Sequence, residues 1–447
     1  MDSNFWNRYS KPSIVKRLLL FILVFLQFYP TKFIALPVSS RVFISLLGFG
    51  LLILKYFLDI FAGKMLTIDR RFARLGFPLL LISLFSIVSL NYNGTSDTMY
   101  LYYFSTASLM ILSSYFTIHI FKYFYGNDLS FEIIAYYCTI IVFFQLLFGV
   151  VTYLDPSLTL PILLITDDGV YQLKNLIHGR FMGLGASVML LGVANGVGLL
   201  LIAILMKNAK AFGISNKLKF WLSFMFISIA VIGNMQARTT TFCAVVSIFY
   251  LIFSSLKLNL DLLKNGIGQL FKVIFFFALI LVFVIVYFGD QLSRFQDTLN
   301  YGFEMFNSVS EGKGAQTGSS DMLKRMLTVW PTSTKTWLIG DGLFTTEGDG
   351  YYMQTDVGYA RLIFYFGIFG AITFYIYEMM ITYVSLKNIV KGWGAIWIYL
   401  LMMIFFVNVK AFIEYTHYVS LFFVFNLLYN SKSKTITIPS KIVVQTV

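Results

Sequence analysis

Long apolar segments recur along the whole chain and are separated by short polar connections. Most of them have the roughly 20 residues that an α-helix needs to cross the hydrocarbon core of a bilayer. The pattern predicts an all-α polytopic membrane protein with about twelve transmembrane helices. The predicted spans are residues 17–36, 42–62, 76–91, 100–121, 132–154, 183–206, 217–235, 239–256, 268–288, 358–384, 394–410 and 415–430.

One polar stretch, residues 288–360, is much longer than the other connections and lies between the ninth and tenth segments. Its first part, 292–308, has apolar residues at helical spacing, which predicts a helix packed on the bundle or lying at the membrane interface. Ser319 or Ser320 is expected to cap a second helix that ends near Pro331. The chain therefore divides into an N-terminal membrane bundle, a long loop and a C-terminal membrane part, at residues 1–289, 290–357 and 358–447.

Composition and charge distribution support a membrane protein and orient it. Hydrophobic residues make up 58% of the chain and charged residues only 12%, whereas soluble domains average about 25% charged. Alternate connections carry 21 Lys and Arg residues on one side and 12 on the other. The positive-inside rule then puts both termini in the cytoplasm and the long loop on the outer face. The net charge of +13 is thus a topology signal and does not indicate nucleic-acid binding.

Several basic residues lie on the outer side next to Gly or small polar residues. Arginine recognises phosphate through two parallel hydrogen bonds, so a group of such residues suits a pyrophosphate whose lipid tail lies in the bilayer. A single one of them would more often anchor a lipid headgroup. The candidate pyrophosphate-binding residues are Arg180, Arg238, Arg325, Arg361 and Lys410.

Acidic residues and histidine on the same side are candidates for orienting or deprotonating a hydroxyl group. We expect Asp356 to carry this role, followed by Glu347 and His417. A charge so close to the bilayer is expensive unless it is used or paired, and a simple ion pair between Asp356 and Arg361 is the alternative.

Four further residues are expected to support this site. Asp321 shares a helix face with Arg325 and can orient it, although a surface ion pair is the alternative. Gly340 and Gly342 flank an aspartate in a tight turn. The supporting residues are Asp321, Gly340, Gly342 and His178.

No acidic metal-binding triad is visible. Cys138 and Cys243 lie inside apolar runs, which is typical of buried free thiols.

Three sequence pieces occur in a particular order. They are Gln236-Ala-Arg-Thr-Thr-Thr241 at a helix start, Arg325 followed by Gly340-Asp-Gly342, and Asp356-Val-Gly-Tyr-Ala-Arg361 leading into Tyr365-Phe-Gly-Ile-Phe-Gly370. In this order the chain resembles the Wzy-type polysaccharide polymerases, part of the superfamily that also contains the O-antigen ligases. Together with the dozen spans and the long outer loop, the resemblance covers most of the chain.

The resemblance implies a metal-independent, GT-C-like multi-span glycosyltransferase without a cofactor in a bacterial inner membrane. Such an enzyme transfers a growing glycan from undecaprenyl diphosphate to a lipid-linked repeat unit on the periplasmic face. The implied partners are the undecaprenyl-diphosphate-linked oligosaccharide, membrane lipid and a chain-length regulator similar to Wzz, and they do not include nucleic acid.

Two other functions stay open. An O-antigen ligase would use the same donor but transfer the glycan to lipid A core. Related ligases usually have a histidine where this chain has Thr355-Asp356, which favours a polymerase. A flippase or transporter of lipid-linked sugars would carry charges inside its spans, whereas here the charge within the predicted spans is sparse, as at Lys55, and charges gather at the outer rim.

Overall fold

Helices make up most of the fold. The computed structural model describes residues 5–64, 66–167, 180–253, 304, 308, 310–312, 318–346, 350–387, 389, 395–429 and 435–438. The longer helices are accompanied by one pair of short strands, β1 (Leu66–Asp69) and β2 (Thr435–Ile438). Helices α1 to α15 are, in order, Phe5–Tyr9, Ile14–Phe28, Ser40–Phe61, Arg70–Asn93, Tyr103–Tyr125, Phe131–Leu154, Pro156–Leu164, Val188–Lys207, Asn216–Gln236, Thr239–Phe253, Gly318–Leu327, Thr334–Ile339, Gly358–Leu386, Ile396–Lys410 and Thr416–Tyr429.

The chain is a multi-pass membrane protein. Each of the predicted spans within the described residues overlaps a helix, although the first, 17–36, overlaps the shorter α2 only in part, and the ninth span, 268–288, lies outside the described residues. In the described part, seven helices are long and apolar enough to cross a membrane: α3, α4, α5, α6, α8, α9 and α13. Helices α10, α14 and α15 are also apolar but have only 14 or 15 residues.

The helices differ in how much of their apolar surface the protein itself covers. In α8, 83% of the most apolar window is buried, and this helix packs against α6, α9 and α10. In α3 only 17% is buried, although its hydropathy is as high as that of α4. Because lipid tails cover apolar side chains as well as protein does, α8 forms the centre of the bundle and α3 a lipid-facing wall.

Contacts between connections show which of them lie at the same end of the helix bundle. At one end, which we call the terminal end, α1 contacts the α8–α9 connection, and β1 pairs antiparallel with β2. At the other end, which we call the loop end, the α4–α5 connection binds the long loop, and the segment before α13 binds the α14–α15 connection. Consecutive membrane-spanning helices place alternate connections at opposite ends of the bundle, and the contacts group these connections in the same way.

Helix α13 is kinked near its start, and the long loop fills the kink. Gly367 has φ +75° and interrupts the helical hydrogen bonds, which leaves the carbonyl groups of Phe364 and Tyr365 free to accept others. The amides of Asp341 and Gly342 donate to these two carbonyls at 2.6 and 3.0 Å. Non-helical backbone inside a bundle needs such partners, so this part of the loop is an integral component of the bundle.

Candidate active site

Four basic side chains and one carboxylate are linked by electrostatic interactions at the loop end. Lys410 interacts with Arg180, Arg238 and Asp356, and Asp356 in turn interacts with Arg361. We call these five residues the charged cluster. They come from four segments that are far apart in sequence, and all five were candidate site residues from the sequence.

The segment that carries Asp356 is attached to the segment that follows Lys410. The amide of Phe412 donates to the backbone carbonyl of Asp356 at 3.1 Å. Gly358 lies so close to α14 that a Cβ atom there would overlap the amide oxygen of Asn408 and lie 3.0 Å from the Cα of Phe412. The start of α13 therefore has no room for a side chain at this point, and this close approach brings Asp356 to Lys410.

A short connection between α9 and α10 positions Arg238. It consists of two residues, and Ala237 is extended. From α8, the amide group of Asn195 donates to Gln236 at 3.0 Å and to Thr240 at 3.3 Å, so it bridges the two helix ends. The amide of Phe181 donates to Met235 at 3.3 Å, which places the neighbouring Arg180 beside the same connection.

The arginines of the cluster have different surroundings. Arg238 forms an ion pair with Glu304, a residue of the long loop. The guanidinium group of Arg361 lies between two aromatic rings, 3.7 Å from the ring centre of Phe344 and 4.1 Å from that of Tyr351. The side chain is 5% exposed, and its Nε has no hydrogen-bond partner among the described residues. A buried guanidinium with an unused donor is able to bind an anion.

Asp356 has the character of a proton acceptor. Burial raises the pKa of its carboxyl group above 3.8, while Arg361 and Lys410 oppose the rise by favouring the charged form. Its Oδ1 atom is buried and accepts no hydrogen bond within the described residues. Just before it, Met353 and Gln354 have φ values of +55° and +51°, a backbone conformation that is costly for residues other than glycine and clusters at functional sites.

The Gly340-Asp-Gly342 turn attaches the long loop to the helix bundle. Gly340 and Gly342 have φ values of +81° and +67°. The carbonyl of Gly340 accepts from Asn93 of α4 at 3.1 Å, and the amide of Gly342 donates to Tyr365 of α13 at 3.0 Å. The side chain of Asp341 accepts hydrogen bonds at 2.8 Å from both Lys335 and Thr336. Asp97, from the α4–α5 connection, accepts from the amides of Phe344 and Thr345 and holds the next residues of the loop.

His417 belongs to a second polar group that adjoins the cluster. It is 6% exposed on α15, its Nε2 has no hydrogen-bond partner in the described part of the chain, and Arg41 lies within electrostatic reach. Burial raises the pKa of the neighbouring Glu414 carboxyl group. The hydroxyl group of Tyr103 and the charge of Arg41 oppose this rise. Tyr100 interacts with both Glu414 and Arg361, so it connects the two groups.

The other candidates lie elsewhere. Arg325 is exposed on α11, and Asp321 forms its ion pair with Lys324 at 3.4 Å instead of with Arg325. The apolar face of α11 packs through Met326 on the start of α13. His178 and Glu347 lie outside the described residues. The roles predicted for these residues stay predictions.

Sequence reasoning did not assign roles to three charged residues that the structure brings to this region: Arg41, Glu304 and Glu414. Arg41 and Glu414 carry the same signal as the chosen candidates, since each is a charge next to an apolar segment on the predicted outer side. Glu304 gave no such signal, because it lies in an amphipathic stretch where an acidic residue is ordinary.

The arrangement defines a membrane protein with a cationic site and a half-buried carboxylate, Asp356, at one end of its helices. Such a site can bind a phosphate-containing group and accept a proton beside it. Within the described residues, no group of three or more His, Cys, Asp and Glu side chains is arranged to hold a metal ion. No protein family, curated protein or solved structure matches the chain.

Proposed function

We propose that this protein is a glycosyltransferase that polymerises lipid-linked repeat units at the periplasmic face of the bacterial inner membrane. It has about twelve spans, with both termini in the cytoplasm. The growing glycan is transferred from undecaprenyl diphosphate to the terminal sugar of another lipid-linked unit. The observation that carries the proposal is the charged cluster, in which Lys410 interacts with Arg180, Arg238 and the half-buried carboxylate of Asp356, and Asp356 interacts with Arg361.

The chemistry requires that the leaving diphosphate be stabilised. When the bond between the sugar and the diphosphate breaks, negative charge grows on the departing group, and fixed cations in a water-poor site stabilise that charge well. Arg180, Arg238 and Lys410 supply such cations from three segments that are far apart in the sequence. Arg361 adds a guanidinium group that is held by ring stacking and has an unused donor.

The same reaction needs an acceptor for the proton of the attacking hydroxyl. As the new glycosidic bond forms, this proton passes to Asp356, whose raised pKa makes it a stronger base than an ordinary aspartate. Arg238 and Arg325 were both candidates for binding the diphosphate, but the structure places them differently. Arg238 lies in the charged cluster and pairs with Glu304, whereas Arg325 is exposed on α11. We assign Arg238 to the diphosphate and treat Arg325 as a candidate contact to the glycan outside the cluster.

The test is a transfer assay with purified protein and defined undecaprenyl-diphosphate repeat units in the presence of a chelator, followed by sizing of the products. Lys410→Gln and Asp356→Asn should each lower the rate by roughly a hundredfold or more. Lys324→Gln is the matched control, because this lysine is exposed and paired on α11. Its rate should stay near wild type.

Two outcomes would contradict the proposal. The first is a wild-type product ladder from both Lys410→Gln and Asp356→Asn. The second is transfer to lipid A core with no extension of the repeat units, which would make the protein a ligase. Elution from size exclusion at the wild-type volume establishes that each variant is folded.

A further inference from the structure

A cavity of about 590 Å³ lies at the terminal end of the bundle. It is separated from the charged cluster by the full length of α9, whose 21 residues span about 30 Å. The cavity therefore belongs to the other membrane face and takes no part in the proposed transfer. Its lining residues are Trp6, Tyr136, Ser215, Lys217, Leu218 and Trp221.

Helix α1 forms one wall of this cavity and is firmly attached. The amide of Phe5 donates to the carbonyl of Gly213 at 3.0 Å, and the Phe5 ring packs edge-on against Tyr136 at 5.3 Å. Arg8 forms an ion pair with Glu132 at 2.7 Å and also donates to the carbonyl of Phe212. The cavity is thus a built feature that joins α1, α6 and the start of α9.

The lining is apolar and aromatic except at one edge, where Lys217 and Ser215 lie. Trp6 and Trp221 are nearly half exposed, at 48% and 44%. Tryptophan in such positions marks the boundary between the hydrocarbon and headgroup regions of a bilayer.

The charge around the cavity is positive. No carboxylate pairs with Lys217 in the described part of the chain. Lys219 lies with it in the first turn of α9, and Lys210 lies on the α8–α9 connection. The nearest acidic residues of α6 and its preceding turn, Glu132 and Asp128, are already paired with other cations.

We propose that this cavity binds one anionic phospholipid of the leaflet on the terminal side. The phosphate of the headgroup lies at Lys217, and the first part of an acyl chain lies between the indole rings of Trp6 and Trp221. The positive-inside distribution assigns this end to the cytoplasm, where the leaflet is rich in anionic lipid. A soluble phosphate compound would make the same interaction with Lys217, but without an acyl chain it would leave the aromatic walls of the cavity without an apolar partner.

Quenching of tryptophan fluorescence by lipids with brominated acyl chains tests the proposal. The protein is placed in vesicles that contain brominated phosphatidylglycerol or, at the same mole fraction, brominated phosphatidylcholine. The difference between wild type and Trp221→Phe isolates the signal of Trp221. We expect phosphatidylglycerol to be enriched about fivefold beside this indole, which is the effect of one lysine near an anionic lipid surface.

Variants of the lysine make the test specific. Lys217→Gln should reduce the quenching by phosphatidylglycerol to that by phosphatidylcholine, and Lys217→Arg should retain the difference. Lys210→Gln is the matched control, because this exposed lysine lies on the connection before α9 and does not line the cavity, and it should behave as wild type.

Equal quenching of Trp221 by the two lipids, or an undiminished difference in Lys217→Gln, would overturn the lipid site. A third arm titrates inorganic phosphate into vesicles of phosphatidylcholine alone. Saturable changes in Trp221 emission there would assign the cavity to a free phosphate compound and also overturn the lipid assignment.

Discussion

Replacing Gly340 by alanine should release the long loop from the kink of α13. The residue has φ +81° and ψ −175°, a region of backbone space that is almost restricted to glycine. A Cβ atom there would lie 2.5 Å from the carbonyl carbon of Tyr365 and 2.6 Å from the amide nitrogen of Phe366. Both neighbours are backbone atoms of α13, so neither can turn away as a flexible side chain would.

The size of the effect follows from these contacts. A strained backbone conformation costs about 1–3 kcal/mol. Moving the turn away from α13 also breaks the hydrogen bonds from Asp341 and Gly342 to α13, each worth about 1 kcal/mol. The total is about 3–5 kcal/mol, a large part of the stability of a typical domain, which is about 5–15 kcal/mol.

Thermal unfolding in detergent measures this change, and hydrogen exchange localises it. We expect the melting temperature of Gly340→Ala to fall by at least about 5 °C and the amides of residues 336–346 to exchange faster than in wild type. Gly50→Ala is the matched control, because a Cβ atom at this position in α3 would meet nothing within 4 Å. Alanine is also the better helix former, so this variant should melt no lower than wild type.

A Gly340→Ala protein that melts within about 1 °C of wild type and shows unchanged exchange in residues 336–346 would refute the reasoning. It would mean that the turn tolerates a side chain and that its contacts with α13 contribute little. Faster exchange throughout the chain, with no excess in this segment, would equally contradict a local docking role.

Two further predictions concern the charged cluster. Burial raises the pKa of Asp356, and its ionised form accepts the proton, so the transfer rate should fall with decreasing pH around an apparent pKa higher than that of an ordinary aspartate. Asp356→Asn should abolish this acid limb, and a pH–rate profile of both proteins measures it. Arg361→Lys keeps the charge but loses the planar stack on Phe344 and Tyr351, so the rate should drop roughly tenfold or more while the melting temperature changes little. Equal rates for lysine and arginine would contradict this.

The sequence was sufficient to find the helices because a bilayer imposes their length and apolarity. Their ends were less predictable. The first span was expected to continue to residue 36, yet α2 stops at Phe28, because Tyr29 precedes a proline and is pushed out of helical conformation. Helix α4 instead begins before its apolar run, at Arg70, because the side chain of Asp69 caps its first turn. The short helices α7 and α12, which lie in connections between predicted spans, were not predicted.

The site was predictable in its residues but not in its grouping. A charge beside an apolar segment is visible in the sequence, and five such residues meet in the charged cluster. Which helix ends meet depends on close packing that single positions decide, such as Gly358 against Asn408 and Phe412. The expected contact between Asp321 and Arg325 gave way to one with Lys324, since both basic residues lie within one helical turn of Asp321 and spacing alone does not choose between them.

The kink of α13 links the stability of the loop to the chemistry of the cluster. Phe344, which stacks on Arg361 and accepts its hydrogen bond at 3.4 Å, follows Gly342 by only two residues. The turn that Gly340 allows therefore fixes the ring that holds this guanidinium in place. It follows that Gly340→Ala should lower the transfer rate at temperatures where the protein is still folded, and that Gly50→Ala should not. A reduced melting temperature with a normal rate would show that Arg361 keeps its position without the docked turn.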